Sequence, residues 1–208
     1  MLLFLVRHAL TPHTGDKLSG WLPGISLSDE GRAQAKALAE RMRPVSLDAV
    51  YASPLERCVQ TARPIASSKG LRVRTRDGLG EVRYGEWEGK RLRTLAKTKL
   101  WRRVMARPSE VRFPGGETIR EVQFRAVNAL EELREQHGRG AIAAVTHADV
   151  IRVVVAHYAG TPLDLYHRLV VAPASVTVLW IGDGEPRLLK MSDTATLDGF
   201  SVAKRRRR

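Results

Sequence analysis

Leu2-Leu3-Phe4-Leu5-Val6-Arg7-His8 is the stretch on which the fold of this chain turns. Its apolar residues run without polar alternation. That is the pattern of a strand buried on both faces, as in a parallel sheet with helices on each side. The run then ends on a polar pair. In open parallel sheets ligands bind beyond the carboxyl ends of the strands. Arg7 and His8 therefore stand where a ligand is expected.

Working outward, residues 11–24 carry Pro12, Gly15, Gly20, Pro23 and Gly24 and read as a loop. Ser28 is placed to cap a helix reaching about Arg43, with Ala35, Leu38 and Met42 on one face and Pro44 as its stop. Residues 49–52 form a second short strand. Ser53-Pro54 reads as a helix cap followed by proline at the first helical position, and Pro64 is expected to kink or end the helix that starts at Leu55. Residues 71–75 suit a third strand, and 94–107 a strongly basic helix. Ile119, Val122, Ala126, Leu130 and Leu133 recur at the spacing of a longer helix. Residues 141–145 form another buried strand, ending at Thr146-His147. Residues 150–158 are rich in β-branched side chains, but Asp149 suits a helix cap, and helix is the expectation. Two closing strands, 175–181 and 187–191, flank Gly182-Asp183-Gly184. Strands alternating with helices imply an α/β three-layer sandwich with a mostly parallel central sheet and helices on both faces.

The 208 residues, 43% hydrophobic and 27% charged, suit one globular domain over 1–203 rather than a disordered chain. No apolar run approaches the ~20 residues of a membrane helix. The apolar start meets Arg7 too early for a signal peptide and has no basic segment before it. The single cysteine, Cys58, excludes a disulfide framework and a multi-cysteine metal site. A reducing cytoplasm is the expected location. There are 35 Lys+Arg against 22 Asp+Glu, a formal charge of +13. Five of those positive charges lie in the run 204–208, read as a solvated, disordered tail, leaving eight on the body. The field favours anionic partners. Aromatic residues are only 6%, and no basic stretch alternates with them as a base-stacking platform would. Nucleic acid is thus expected to touch the tail at most.

Arg57 follows the second strand as Arg7 and His8 follow the first, and His147 ends a later one. Two imidazoles and two guanidiniums converging on one crevice would repel one another without an anion between them. A phosphoryl group fits that need.

The motifs at these positions carry a resemblance. Leu5-Val6-Arg7-His8-Ala9-Leu10-Thr11 is similar to the Arg-His-Gly signature of the histidine phosphatase superfamily, in its phosphoglycerate-mutase-like branch. The match continues through 27–31 (Leu-Ser-Asp-Glu-Gly), 53–62 (Ser-Pro-Leu-Glu-Arg-Cys-Val-Gln-Thr-Ala) and 81–89 (Glu-Val-Arg-Tyr-Gly-Glu-Trp-Glu-Gly). It goes on through 114–117 (Pro-Gly-Gly-Glu) and 145–147 (Val-Thr-His), in the family's order.

That resemblance implies a two-step phosphoryl transfer. His8 attacks phosphorus and forms a phosphohistidine, its other ring nitrogen held by a backbone carbonyl. Glu81 protonates the leaving alkoxide and afterwards activates water, so it should be partly buried with a raised pKa. Arg7 and Arg57 fork onto phosphate oxygens, and His147 donates to an equatorial oxygen. The resemblance implies no metal and no other cofactor. It also implies substrate contacts at Thr11, Thr14, Ser19, Gly20, Tyr84 and Ala148, and a small helical insertion near 86–115 covering the active site.

Other readings stand beside these. Cys58 and Trp87 suit packing, whereas Trp101-Arg102-Arg103 resembles the basic helix of the mutases or is simply a solvated face. His137, His157 and His167 match no family position; His13 is of interest only for its place after the nucleophile. Ala9 replaces the usual glycine, which matters only if that position needs positive φ. Thr14 stands where asparagine is common. The short chain and compact insertion favour a phosphatase acting on a small phosphorylated metabolite, as monomer or homodimer. A phosphoglycerate-type mutase is the alternative, and a non-catalytic anion- or nucleic-acid-binding protein on the same fold is the second.

Overall fold

The computed structural model describes residues 1–195. The basic run 204–208 and its expected disorder therefore lie outside the described residues.

Among the described residues the sheet has six strands in the order β3-β2-β4-β1-β5-β6. They are β1 (Leu2–Arg7), β2 (Ala49–Ala52), β3 (Val73–Thr75), β4 (Ala141–Thr146), β5 (Val176–Trp180) and β6 (Arg187–Asp193). β1, β2, β3 and β4 are mutually parallel, whereas β5 runs against both β1 and β6. The helices are α1 (Asp29–Arg41), α2 (Glu56–Ser67), α3 (Leu92–Leu95), α4 (Lys99–Ala106), α5 (Ile119–His137) and α6 (Ala148–Tyr158). Leu3 and Leu5 face a core built with α5 and α6, while Leu2, Phe4 and Val6 face a second core built with α1 and α2. Burial of both faces is why β1 carries no polar alternation.

Local chemistry explains several boundaries. The Ser28 hydroxyl accepts the Gly31 amide and starts α1. Thr118 and Glu121 form a reciprocal capping box at the start of α5. The Leu, Ile and Val positions of α5 that share the expected face are buried.

Other boundaries differ from expectation. Helix α2 begins at Glu56, so Ser53-Pro54 is not its cap. The Ser53 hydroxyl instead accepts the Leu55 amide and lies 2.9 Å from His147 Nε2. Pro64 does not end α2, which continues to Ser67 because Ala62, Ile65 and Ala66 anchor it in the core on both sides of the ring. The basic stretch expected as one helix is two, α3 and α4, with Thr98 capping the second through the Trp101 amide. His147, not Asp149, occupies the cap position of α6. Asp149 sits in the first turn and turns its carboxylate elsewhere.

Candidate active site

The parallel pairing sets the site. β1 and β4 lie side by side with Arg7 opposite Thr146, and the His8 amide donates to the Thr146 carbonyl at 2.9 Å. The residue that follows each strand is a histidine, and the two rings meet with centroids 5.2 Å apart. On the other side of β4, β2 delivers Ser53, and α2 then brings back Arg57.

His8 is buried. Its Nδ1 lies 2.8 Å from the Ala9 carbonyl, which can only accept, so Nδ1 carries the hydrogen and Nε2 has the free lone pair. Burial, and after it the Arg57 guanidinium, pushes the imidazole down to about 3, so it is neutral at neutral pH. The Arg7 Nη1 donates to the Val171 carbonyl at 2.6 Å. Arg57 is 1% exposed, and its Nη2 donates to the Gly20 carbonyl at 2.8 Å and lies 3.3 Å from His147 Nδ1. The Nε atoms of both arginines are buried with no hydrogen-bond partner among the described residues.

Glu81 hangs from a braced loop. Its carbonyl accepts from Trp21 Nε1 at 2.6 Å and from Arg125 Nη2 at 2.7 Å, and the Thr146 hydroxyl holds the Leu79 carbonyl. The carboxylate accepts the Val82 amide and lies 3.5 Å from His147 Nδ1. Burial, and second the Asp149 carboxylate, raise it to about 7 against the pull of Arg57 and Arg7. Burial, with Arg57 next, holds His147 well below its ordinary value.

These groups surround a cavity of about 390 Å³. Arg7, His8, Arg57, Glu81, Thr11, Thr14, Ser19, Tyr84 and Ala148 all face it. Two of the residues expected there do not. His147 is fully buried behind the wall, against His8, Arg57, Ser53 and the Cys58 sulfur. Gly20 is also behind the wall. It takes φ +50, its carbonyl holds Arg57, and a Cβ there would strike the Glu88 side chain.

Other wall residues escaped the sequence reading: Lys17, Asp149, Arg152 and His167, with Leu92 and Met105 from α3 and α4. Asp149 stands two residues beyond His147, where a carboxylate also suits a helix cap. His13 also reaches the wall, with Nδ1 3.2 Å from the Ser19 hydroxyl. Trp101 faces the cavity and stacks on the buried Trp87, whereas Arg102 and Arg103 are exposed and do not line it. Cys58 is fully buried, and burial pushes its thiol up to about 12, which suits packing rather than nucleophilic chemistry. Ala9 packs in the α1–α2 core. Only Ala174 and Ser192 are non-glycine residues with positive φ among the described residues, so the alanine strains nothing.

A buried neutral imidazole flanked by guanidiniums, beside a protonatable carboxyl, is equipped to take a phosphoryl group. Residues 3–194 match the histidine phosphatase superfamily (branch 1), and the chain belongs to that family. It is 31% identical over 202 residues to phosphoserine phosphatase 1 of Hydrogenobacter thermophilus, covering 96% of each chain. It is 32% identical to phosphoglycerate mutase-like protein 4 of Arabidopsis thaliana, over 72% of this chain and 67% of that one. Among solved structures it resembles YhfR of Bacillus stearothermophilus with a TM-score of 0.87 and 26% identity, covering 93% and 98% of the two chains. No helix among the described residues is long and apolar enough to cross a membrane.

Proposed function

We propose that this protein hydrolyses small phosphate monoesters through a phosphohistidine on His8. The observation that carries this reading is the pairing of His8 Nδ1 with the Ala9 carbonyl in a ring kept neutral by its surroundings. One nitrogen is thereby fixed as donor and the other left as nucleophile. Arg7 and Arg57 face the same cavity and supply planar, forked donors for the phosphoryl oxygens.

In the first step Nε2 attacks phosphorus, the P–O bond to the alcohol breaks, and Glu81 gives its proton to the departing oxygen. In the second, water attacks the phosphohistidine, the P–N bond breaks, and the Glu81 carboxylate takes the proton released. A carboxyl near 7 is suited to both directions. His147, from behind the wall, keeps Arg57 and Glu81 in register and adds a hydrogen-bonding ring beside the nucleophile. Thr11, Thr14, Ser19, Tyr84 and Ala148 contact the alcohol portion. The likeness to a phosphoserine phosphatase favours a small phosphorylated metabolite.

Turnover of p-nitrophenyl phosphate tests this directly. His8→Ala should lower it at least ~10³-fold, and quenching during turnover should trap phosphate on His8. Equal rates in the two proteins would overturn the proposal. The likeness to a mutase-like protein favours a second reading. On 3-phosphoglycerate, release of inorganic phosphate means hydrolysis, and bisphosphoglycerate-dependent isomer formation means mutase.

A further inference from the structure

Glu81 shares its cavity with a second carboxylate, Asp149, that the proposed reaction leaves without a task. Asp149 is not a loose surface acid. Its Oδ2 accepts the Tyr84 hydroxyl at 2.7 Å, and its Oδ1 accepts Arg152 Nη1 at 2.8 Å. Arg152 is in turn fixed by donating its Nε to the Leu169 carbonyl at 2.8 Å. Both carboxylate oxygens are thus occupied by donors. Tyr84, three residues beyond Glu81, ties the loop bearing one acid to the helix bearing the other.

We infer that Asp149 is a positioning residue for the Glu81 proton: a charge locked by Tyr84 and Arg152 that keeps the neighbouring carboxyl protonated until the alcohol leaves. Two carboxylates lining one cavity each oppose the other's ionisation. Asp149 is held by two side-chain donors, whereas the Glu81 carboxyl accepts the Val82 amide and lies 3.5 Å from His147 Nδ1, so Glu81 is the less firmly held of the two acids. The groups facing Glu81 are Arg7 from the end of β1, Arg57 and Cys58 from α2, His147 and Asp149 around the start of α6, Tyr166 from the segment after α6, and Tyr84 from its own loop. Arg125 of α5 holds its carbonyl rather than its carboxyl. Of these, Arg7 and Arg57 favour ionised Glu81, whereas Asp149 opposes it. The inference rests on Glu81 acting as the acid of the proposed reaction.

The test compares the pH dependence of kcat/KM on glycerol phosphate, whose leaving group needs a proton, and on p-nitrophenyl phosphate, whose leaving group does not. The wild type should lose activity toward glycerol phosphate as pH rises through about 7, and Glu81→Gln should lack that limb. Asp149→Asn should move the limb about one pH unit toward acid and leave the p-nitrophenyl phosphate profile in place. Asp149→Glu, with its charge kept, should restore it. Arg152→Met, which leaves the Asp149 charge less compensated, should move the limb the other way. An unmoved limb in both Asp149→Asn and Arg152→Met overturns the inference while Glu81 keeps its role. Disappearance of the limb in Asp149→Asn also overturns it, by making Asp149 the donor. Absence of a leaving-group-dependent limb in the wild type refutes the role of Glu81 itself, and the inference with it.

Discussion

The His8 and His147 rings meet edge to face, with centroids 5.2 Å apart and planes inclined at 64°. Neither ring has room to become an imidazolium, because Arg57 stands against both and little water reaches them. The nucleophile is thereby kept unprotonated far below the pH at which a free histidine would charge.

That arrangement makes the fold sensitive to acid. Histidines whose folded pKa is depressed favour the protonated, unfolded chain once the pH drops below their ordinary 6.5. Stability should thus be fully present above about 6.5 and fall as the pH descends toward 3, by roughly 1–2 kcal/mol per pH unit. Urea unfolding at pH 7, 6 and 5 measures this. His8→Ala should flatten the slope to about half, and a slope equal to the wild type would refute the assignment.

Glu81 presents the opposite trade. Its folded pKa lies above its ordinary value, so ionising it costs stability progressively from about pH 4.5 up to about 7. Glu81→Gln should be more stable than the wild type at pH 8, by about 1–3 kcal/mol. The same variant should lose ~10²–10⁴-fold in kcat/KM on alkyl phosphates. A destabilised Glu81→Gln protein would contradict the burial argument.

Arg57 holds the Gly20 carbonyl and abuts His147 while facing the cavity. A lysine keeps the charge but not the fork. Arg57→Lys should lower kcat/KM by ~10²-fold or more and weaken orthovanadate inhibition in parallel. Inhibition as tight as in the wild type would mean that this guanidinium does not hold the phosphoryl oxygens.

Ala9 departs from the Arg-His-Gly signature that the sequence resembles, yet its backbone makes no demand for glycine. Ala9→Gly should therefore change activity little and cost about 1 kcal/mol, through lost packing and a freer unfolded chain. Calorimetry showing a gain in stability would mean the alanine is strained after all.

Much of this architecture was legible along the chain because strands buried on both faces write unbroken apolar runs, and their carboxyl ends mark the ligand crevice. Arg7, His8, Arg57 and Glu81 could be placed on one cavity from that rule and from the motifs. What was not legible depends on contacts between distant segments. Nothing in the sequence around Gly20 says that its carbonyl faces a guanidinium from α2. His167 reaches the cavity only because the segment after α6 folds back beneath α4, with its ring on the Val104 carbonyl. Pro64 obeys no local rule, since the core on either side of it outweighs the lost amide bond. Asp149 departs from its expected capping role for a related reason: its carboxylate takes the Tyr84 hydroxyl as partner.

Arg125 never touches the cavity, yet its guanidinium grips the carbonyls of Gly78, Gly80 and Glu81 together with both oxygens of Glu117. One side chain on a helix thus staples down the whole turn from which the reacting carboxyl projects. Natural variation that this protein tolerates should accordingly be scarcer at position 125 than at several cavity-lining positions. The tolerance map of the enzyme then follows the anchoring of its loops more closely than distance from the phosphate.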